Sequence, residues 1–331
     1  QTYSSLYIEK YLREKRPDLN LFFLYGGYRA GDPIGLEMLI RMGATGYSVL
    51  GEGERKLELI LQQLVNSAET SSHAIVMNID GVVLPANGLR SFDRAASFLG
   101  SQISKLENLP LPEYDEFFQA YDAALIRHPF LKLTVRRGVS LEGTRGCFSH
   151  CDFCALNSQW EGFRKMSAER IYGRVMELTK KYHCEAVLFL DNVCDTWAER
   201  YAELMMNSER RVDCFMELRA HHKEEFWVKL VLGGLERVQI GVEALSQPLL
   251  SKIGKGTKII QNLVATKCFT ELGIVQGNNL ISHHPKSTLE DISETKRIIM
   301  ATPHLPSYSI AKFRLQADSP VFDGLKPADR K

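Results

Sequence analysis

From Leu133 onward the chain alternates strand-like and helix-like runs, and no other feature limits its fold as tightly. Strands are expected at Gly138–Gly143, Ala186–Asp191, Val212–Leu218, Arg237–Val242, Gly277–Ser282 and Ser309–Leu315. Between them helices are expected at about 168–182, 197–207, 223–232, 261–272 and 289–301. Ser167 and Ser287-Thr288 stand where side-chain oxygens cap the first turn of a helix. Alternation of this kind places the strands in one parallel sheet joined by right-handed crossovers. The fold class read from it is α/β, a partial (β/α)6 TIM-like barrel over residues 133–331. Barrels of this type gather their functional groups at the carboxyl ends of the strands.

An earlier stretch, residues 1–72, follows a related grammar. A helix opens the chain, a strand over 21–25 ends at Gly26-Gly27, and a helix follows from about 34 to 42. The strand 46–50 then ends at Gly51-Glu52-Gly53-Glu54, just before a helix at 56–65. Strand, glycine turn and helix make up a doubly wound sheet, in which glycine lets backbone approach a ligand closely. Only two such units are present, so this is read as an incomplete Rossmann-like segment. Residues 73–132 read as a linker region. Within it are a small hairpin pairing 73–77 with 82–84, a polar helix at 91–98 and the proline-punctuated run 109–115. The chain lacks an initiator Met and opens inside a helix, so it is expected to begin partway through a longer protein.

Chemistry enters with Cys147, Cys151 and Cys154, a C-x3-C-x2-C loop placed directly after the first barrel strand. A [4Fe–4S] cluster that only carries electrons has a cysteine on each iron. Three cysteines leave one iron open, which suits catalysis. Structural zinc wants four ligands, commonly with a second C-x2-4-C pair, and none occurs here. His150 would complete a Cys3His set, but its adjacency to Cys151 makes joint ligation awkward. Seven cysteines without a signal segment argue against disulfides. Cys184, Cys194, Cys214 and Cys268 are scattered singly and read as small buried apolar residues.

A formal charge of +1 gives no reason to expect nucleic acid or an anionic membrane as partner. No apolar run approaches the roughly 20 residues of a membrane-spanning helix. A reducing, cytoplasmic setting is expected. The strand-end rule then supplies the candidate site residues Asp191-Asn192, Glu217 and Arg219, Gly241 and Glu243, Asn279, and Arg314. Any one of them is as readily a solvated loop residue. Six strand ends meeting at one mouth argue against that for the set. His283-His284 is a weak metal pair, since adjacent histidines tend to point apart.

The cysteine loop in its barrel context resembles the radical S-adenosylmethionine (radical SAM) superfamily. That resemblance implies SAM chelated at the open iron and its reductive cleavage to a 5′-deoxyadenosyl radical, with an electron donor such as flavodoxin or ferredoxin. Further pieces follow in matching order: Gly26-Gly27, Gly51-Glu52-Gly53-Glu54, Leu156-Asn157, residues 163–167, Leu190-Asp191-Asn192, residues 241–246 and Asp318-Ser319-Pro320. They are similar to cobalamin-binding radical SAM enzymes, in particular C-methyltransferases that mature ribosomally made, bacteriocin-type peptides. The implied activity is methylation of an unactivated carbon in a peptide or small natural product.

By position the resemblance assigns the cluster to Cys147, Cys151 and Cys154, and the adenine neighbourhood to Phe153. It assigns the SAM amino group to Asp191 and Asn192, and the ribose and carboxylate to Glu217 and Arg219. Gly241 and Glu243 match the fourth-strand motif, Asn279 and Arg314 stand at the site mouth, and Gly26, Gly27, Gly51 and Glu52 match cobalamin-binding turns. The sequence departs from the pattern at Leu190-Asp191-Asn192, where Gly-Gly-Glu is usual. It also has no Asp-x-His-x-x-Gly, so a bound cobalamin is expected to lack that lower histidine ligand, and no C-terminal substrate domain is expected within these 331 residues. Two alternatives stay open. One is radical oxidation, rearrangement or thioether chemistry on the same fold, and the other is a non-catalytic Fe–S or zinc protein that binds a peptide.

Overall fold

The computed structural model describes residues 2–19, 21–27, 33–66, 79, 81–83, 102–133, 136–158, 160, 162–316 and 319–326. The chain divides into two compact units, residues 1–104 with 158–161, and residues 105–157 with 162–331.

In the first unit the order is α1 (Thr2–Lys15), β1 (Leu24–Tyr25), α2 (Pro33–Arg41), β2 (Tyr47–Val49), α3 (Glu54–Asn66) and β3 (Val82–Val83). β1 and β2 run parallel, pairing Leu24 with Tyr47, as two successive strand–helix units require. Gly46 makes that approach possible, because a Cβ there would lie 2.7 Å from the Phe23 side chain. β3 pairs antiparallel with β2, Ser48 opposite Val83. The expected hairpin thus has β2 as the observed partner of Val82–Val83. Its other expected arm, 73–77, and the expected polar helix 91–98 lie outside the described residues. Tyr47, Val49, Ile60, Ile79 and Val82 form one small core and Leu6, Tyr25, Leu39 and Ala44 another.

The second unit begins with α4 (Asp115–Arg127), a helix inside the stretch read as a linker. Then come β4 (Gly138–Leu141), β5 (Thr144–Arg145), β6 (Arg164–Lys165), α5 (Ala168–Lys181), β7 (Ala186–Phe189), α6 (Ala198–Met206), β8 (Asp213–Leu218) and α7 (Glu224–Leu232). The remainder is β9 (Leu235–Glu243), α8 (Gln247–Lys252), α9 (Ile259–Glu271), β10 (Val275–Ser282), α10 (Leu289–Ala301), β11 (Ser309–Lys312) and α11 (Pro320–Asp323). Six strands form one sheet in the order β11-β10-β9-β8-β7-β4, and every neighbouring pair is parallel. The expected α/β fold is observed, as an open sheet in chain order.

Side-chain alternation sorts this sheet into two faces. Val139, Leu141, Val187, Phe189, Met216, Leu218, Val238, Ile240 and Val242 enter a core completed by the helices. Phe189, Trp197 and Tyr201 stack edge-on within it, at centroid separations of 4.6 to 5.6 Å. Each large apolar side chain so buried contributes about 1.5–3 kcal/mol. The helix caps form where the sequence signals them. Ser167 accepts the Arg170 N–H at 3.2 Å, and Thr288 exchanges hydrogen bonds with Asp291 across the first turn of α10. Tyr114 occupies the edge of β4, its hydroxyl donating to Ser140 O at 2.6 Å and accepting from Ser140 N at 3.2 Å. No described helix is long and apolar enough to cross a membrane.

Candidate active site

The cysteine loop leaves β5 through Gly146, whose φ of +84° is the left-handed turn that glycine favours. Asn157 shapes the loop from its far end. Its Oδ1 accepts the Cys147 N–H at 3.1 Å, and its Nδ2 donates to Ser149 O at 2.6 Å. Between them, Ser149 N donates to Cys147 Sγ at 3.4 Å. Asp152 anchors the middle, its N–H donating to Ile253 O at 3.0 Å and its carboxylate facing Lys286 at 2.5 Å and His284 at 3.4 Å. The cysteines therefore sit on a loop fixed by its own residues and by the segments after α8 and β10.

None of the three is disulfide-bonded. Burial pushes the Cys154 thiol up, and the adjacent Cys151 and Cys147 sulfurs push it the same way, against the Leu156 N–H and Lys255. A single zinc would draw its sulfurs to about 3.8 Å from one another, given Zn–S near 2.3 Å. Among the described residues the cysteines form no group with ligand atoms inside 4.8 Å; only Asp195, His221 and His222 do. The wider setting fits a polynuclear iron–sulfur cluster, with each cysteine on its own iron.

The three cysteines line a pocket of about 160 Å3 at the carboxyl ends of the strands. Phe153, Asn192, Glu217, Arg219, Gly241 and Glu243, all expected at the site, line it too, together with Ser149, Leu156, Val193, Leu218, Gln239 and Lys255. Glu217, Gln239, Gly241 and Glu243 are the strand residues that alternate with the core positions, so one periodicity makes both the core and the pocket. Burial raises the Glu217 carboxyl above the usual carboxylate range, and the Glu243 charge adds to it. Lys255 Nζ donates to Glu243 Oε1 at 3.0 Å, with both side chains largely buried. Glu243 reaches this position with φ of +63°, a left-handed conformation that costs a non-glycine residue about 1–3 kcal/mol. Gly241 is needed beneath the pair, since a Cβ there would lie 2.5 Å from Lys255 Nζ. Arg219 spans the mouth, donating to Ser149 Oγ at 2.6 Å and to the carbonyl of Lys255.

The remaining expected residues fall elsewhere. Asp191 is 1% exposed and accepts from Gly143 N at 2.9 Å and from Trp197 Nε1 at 3.3 Å, behind the pocket wall that Asn192 forms. Asn279 is half-buried on β10 where its register with β9 shifts, and Arg314 is exposed beyond β11; neither lines the pocket. In the first unit Gly26-Gly27 follow β1 and Gly51-Glu52 follow β2, so parallel pairing puts both turns at one end of that sheet. A Cβ at Gly26 or Gly27 would meet none of the described residues within 4 Å. Glu52 is buried and accepts the Ile103 N–H at 2.7 Å. Sequence reasoning missed Lys255 and Gln239. The flanking glycines of Gly254-Lys255-Gly256, both left-handed, were the available signal for Lys255.

Residues 141–299 match the Radical SAM superfamily. The chain is 29% identical over 206 residues to the hopanoid C-3 methylase of Methylococcus capsulatus, which covers 59% of this chain and 38% of that protein. It is 26% identical over 206 residues to an uncharacterized methyltransferase of Pyrococcus horikoshii, covering 58% of this chain and 41% of that one. The chain thus spans about two-fifths of the length of these relatives. In fold it is similar to the cobalamin-dependent S-adenosylmethionine radical enzyme OxsB with aqua-cobalamin bound, with a TM-score of 0.67 and 18% identity over 95% of this chain and 44% of that one. It is similar also to the radical S-adenosylmethionine methyltransferase TsrM from Kitasatospora setae with cobalamin and a [4Fe-4S] cluster bound, with a TM-score of 0.65 and 16% identity over 94% and 61%. The stretch 141–299 thus matches a radical SAM domain, and the three cysteines lie near the start of that stretch.

Proposed function

We propose that the protein is a radical SAM enzyme that methylates an unactivated carbon with the help of cobalamin, acting on a peptide natural product. The observation that carries the reading is the placement of three thiols around a pocket whose far wall holds charges of both signs. Cys147, Cys151 and Cys154 would hold a [4Fe–4S] cluster there, which would supply the electron for reductive cleavage of SAM. Lys255 and Arg219 offer positive charge for the SAM carboxylate. Asn192 and the pair Glu217 and Glu243 offer acceptors for its amino group and ribose hydroxyls. Phe153 offers an apolar face for adenine, and the raised pKa of Glu217 suits a carboxyl that donates or accepts a hydrogen bond. The fixed loop keeps these groups in place, so little reorganisation is left for the reaction itself.

Cobalamin enters the proposal from the likeness in fold to OxsB with aqua-cobalamin and TsrM with cobalamin, and from the glycine turns that end β1 and β2 of the first unit. Methyl transfer enters from the methylase and methyltransferase relatives. A low-potential donor of the flavodoxin or ferredoxin kind, in the cytoplasm, completes the scheme. The test is anaerobic reconstitution with iron, sulfide, cobalamin and SAM labelled with deuterium in its methyl group, followed by mass spectrometry. Formation of 5′-deoxyadenosine together with cobalamin that co-purifies and a deuterated methyl in product supports the reading. Deoxyadenosine without retained cobalamin assigns oxidation, rearrangement or thioether chemistry instead. No cleavage of SAM under strong reductant overturns the enzyme reading altogether.

A further inference from the structure

Asp195, His221 and His222 take no part in the pocket wall, yet their ligand atoms converge within 4.8 Å of one another. Asp195 follows β7 on the segment that presents Asn192, and the two histidines follow β8, just beyond Arg219. His222 Nε2 stands 2.5 Å from Asp195 Oδ1, and His221 Nδ1 stands 3.8 Å from the same oxygen. His221 and His222 lie in the turn after β8, where their imidazoles face one side, with ring centroids 4.0 Å apart. The surroundings hold them there. The Asp195 side chain is 3% exposed, and both its oxygens accept the Arg219 N–H at 3.3 Å. His222 is stacked on Phe226 at 3.7 Å, with Trp227 edge-on to it at 5.4 Å.

A hydrogen bond from His222 alone would satisfy one Asp195 oxygen. It gives no reason for His221 to aim a second ring nitrogen at that oxygen from beyond hydrogen-bonding range. Two imidazoles and a carboxylate are the ligand set of a divalent transition cation, zinc above all. Bonds of about 2.0–2.2 Å to a tetrahedral centre set ligand atoms about 3.3 Å apart, a spacing these side chains reach by moving less than about 1 Å. We propose that Asp195, His221 and His222 bind zinc, with a fourth position open to solvent beside the exposed His221. The ion would join the segments after β7 and β8, which carry Asn192 and Arg219 to the pocket, and so stiffen one wall of it.

The proposal does not depend on the radical reading, and its test reads metal rather than turnover. Zinc is titrated into cluster-reconstituted protein freed of loosely held metal, and bound zinc and iron are measured after gel filtration. One zinc per chain at unchanged iron content is expected. His221→Ala and His222→Ala should each weaken it by about 100-fold, and Asp195→Asn, which still accepts the Arg219 N–H, by about 10-fold or more. Far-UV circular dichroism confirms that each variant is folded, and Asp195→Asn carries the test if a histidine variant is not. No bound zinc at 100-fold excess, equal affinity in wild type and variants, or zinc gained only as iron is lost would each overturn the assignment.

Discussion

At the scale of single residues, the cysteine loop is where the chemistry stands or falls. Replacing Cys151 with Ala leaves at most two thiolates, so the reconstituted protein is expected to lose its brown absorption and most of its iron, checked by visible spectroscopy and iron analysis. Asp191 carries a different liability. Burial pushes its carboxyl from an ordinary 3.8 to about 7, against hydrogen bonds from Thr144, Gly143 and Trp197 that favour the ionised form. The folded chain then keeps a proton that the unfolded chain has already released. The contribution of Asp191 to stability is therefore most favourable below about pH 4, falls between about 4 and 7 by something on the order of 4 kcal/mol, and levels off above. Asp191→Asn should flatten that slope, as read from the difference between variant and wild-type unfolding in denaturant across the interval. Motif and strand-end position together made Cys147, Cys151, Cys154, Glu217, Arg219 and Glu243 legible in the sequence. Lys255 was not, because it lies over a hundred residues from Cys147 in a loop after a short helix, and only the folded chain brings it beside Glu243.

Among the elements, the barrel strands and helices were readable because each is long enough to show its period. The expected helix at 289–301 coincides with α10, whose start Thr288 and Asp291 fix. The elements that escaped are those too short for a pattern, such as the two-residue strands β5 and β6 and the six-residue α8. α4 escaped for another reason. Its Phe117, Phe118 and Tyr121 pack with Tyr114 and Tyr182 rather than repeating as one clean apolar stripe. The turn from α7 into β9 rests on Gly234, with φ of +102° and with a would-be Cβ only 2.5 Å from Val212 O. An alanine there meets backbone that no rotamer can clear. Gly234→Ala is expected to cost at least about 1–3 kcal/mol, seen as a lower denaturation midpoint at unchanged slope.

Taken whole, the second unit is a sheet with two unlike margins. β4 is closed by the Tyr114 hydroxyl, whereas β11 is the last strand among the described residues and exposes all four of its side chains, Ile310 at 72%. An apolar open edge invites pairing with another chain. Ile310→Lys should reduce concentration-dependent association of this chain, followed by light scattering, and an unchanged profile would clear the edge of that role. The division of β9 into alternate residues reaches further. Val238, Ile240 and Val242 are interchangeable with other apolar side chains at little risk to the pocket, and Gln239 and Gly241 face it without touching the core. Pocket lining and foldability are thus written on separate, interleaved letters of one strand and can drift independently by substitution. An insertion or deletion of a single residue within β9 would swap the two scripts, and no compensating change elsewhere would restore both.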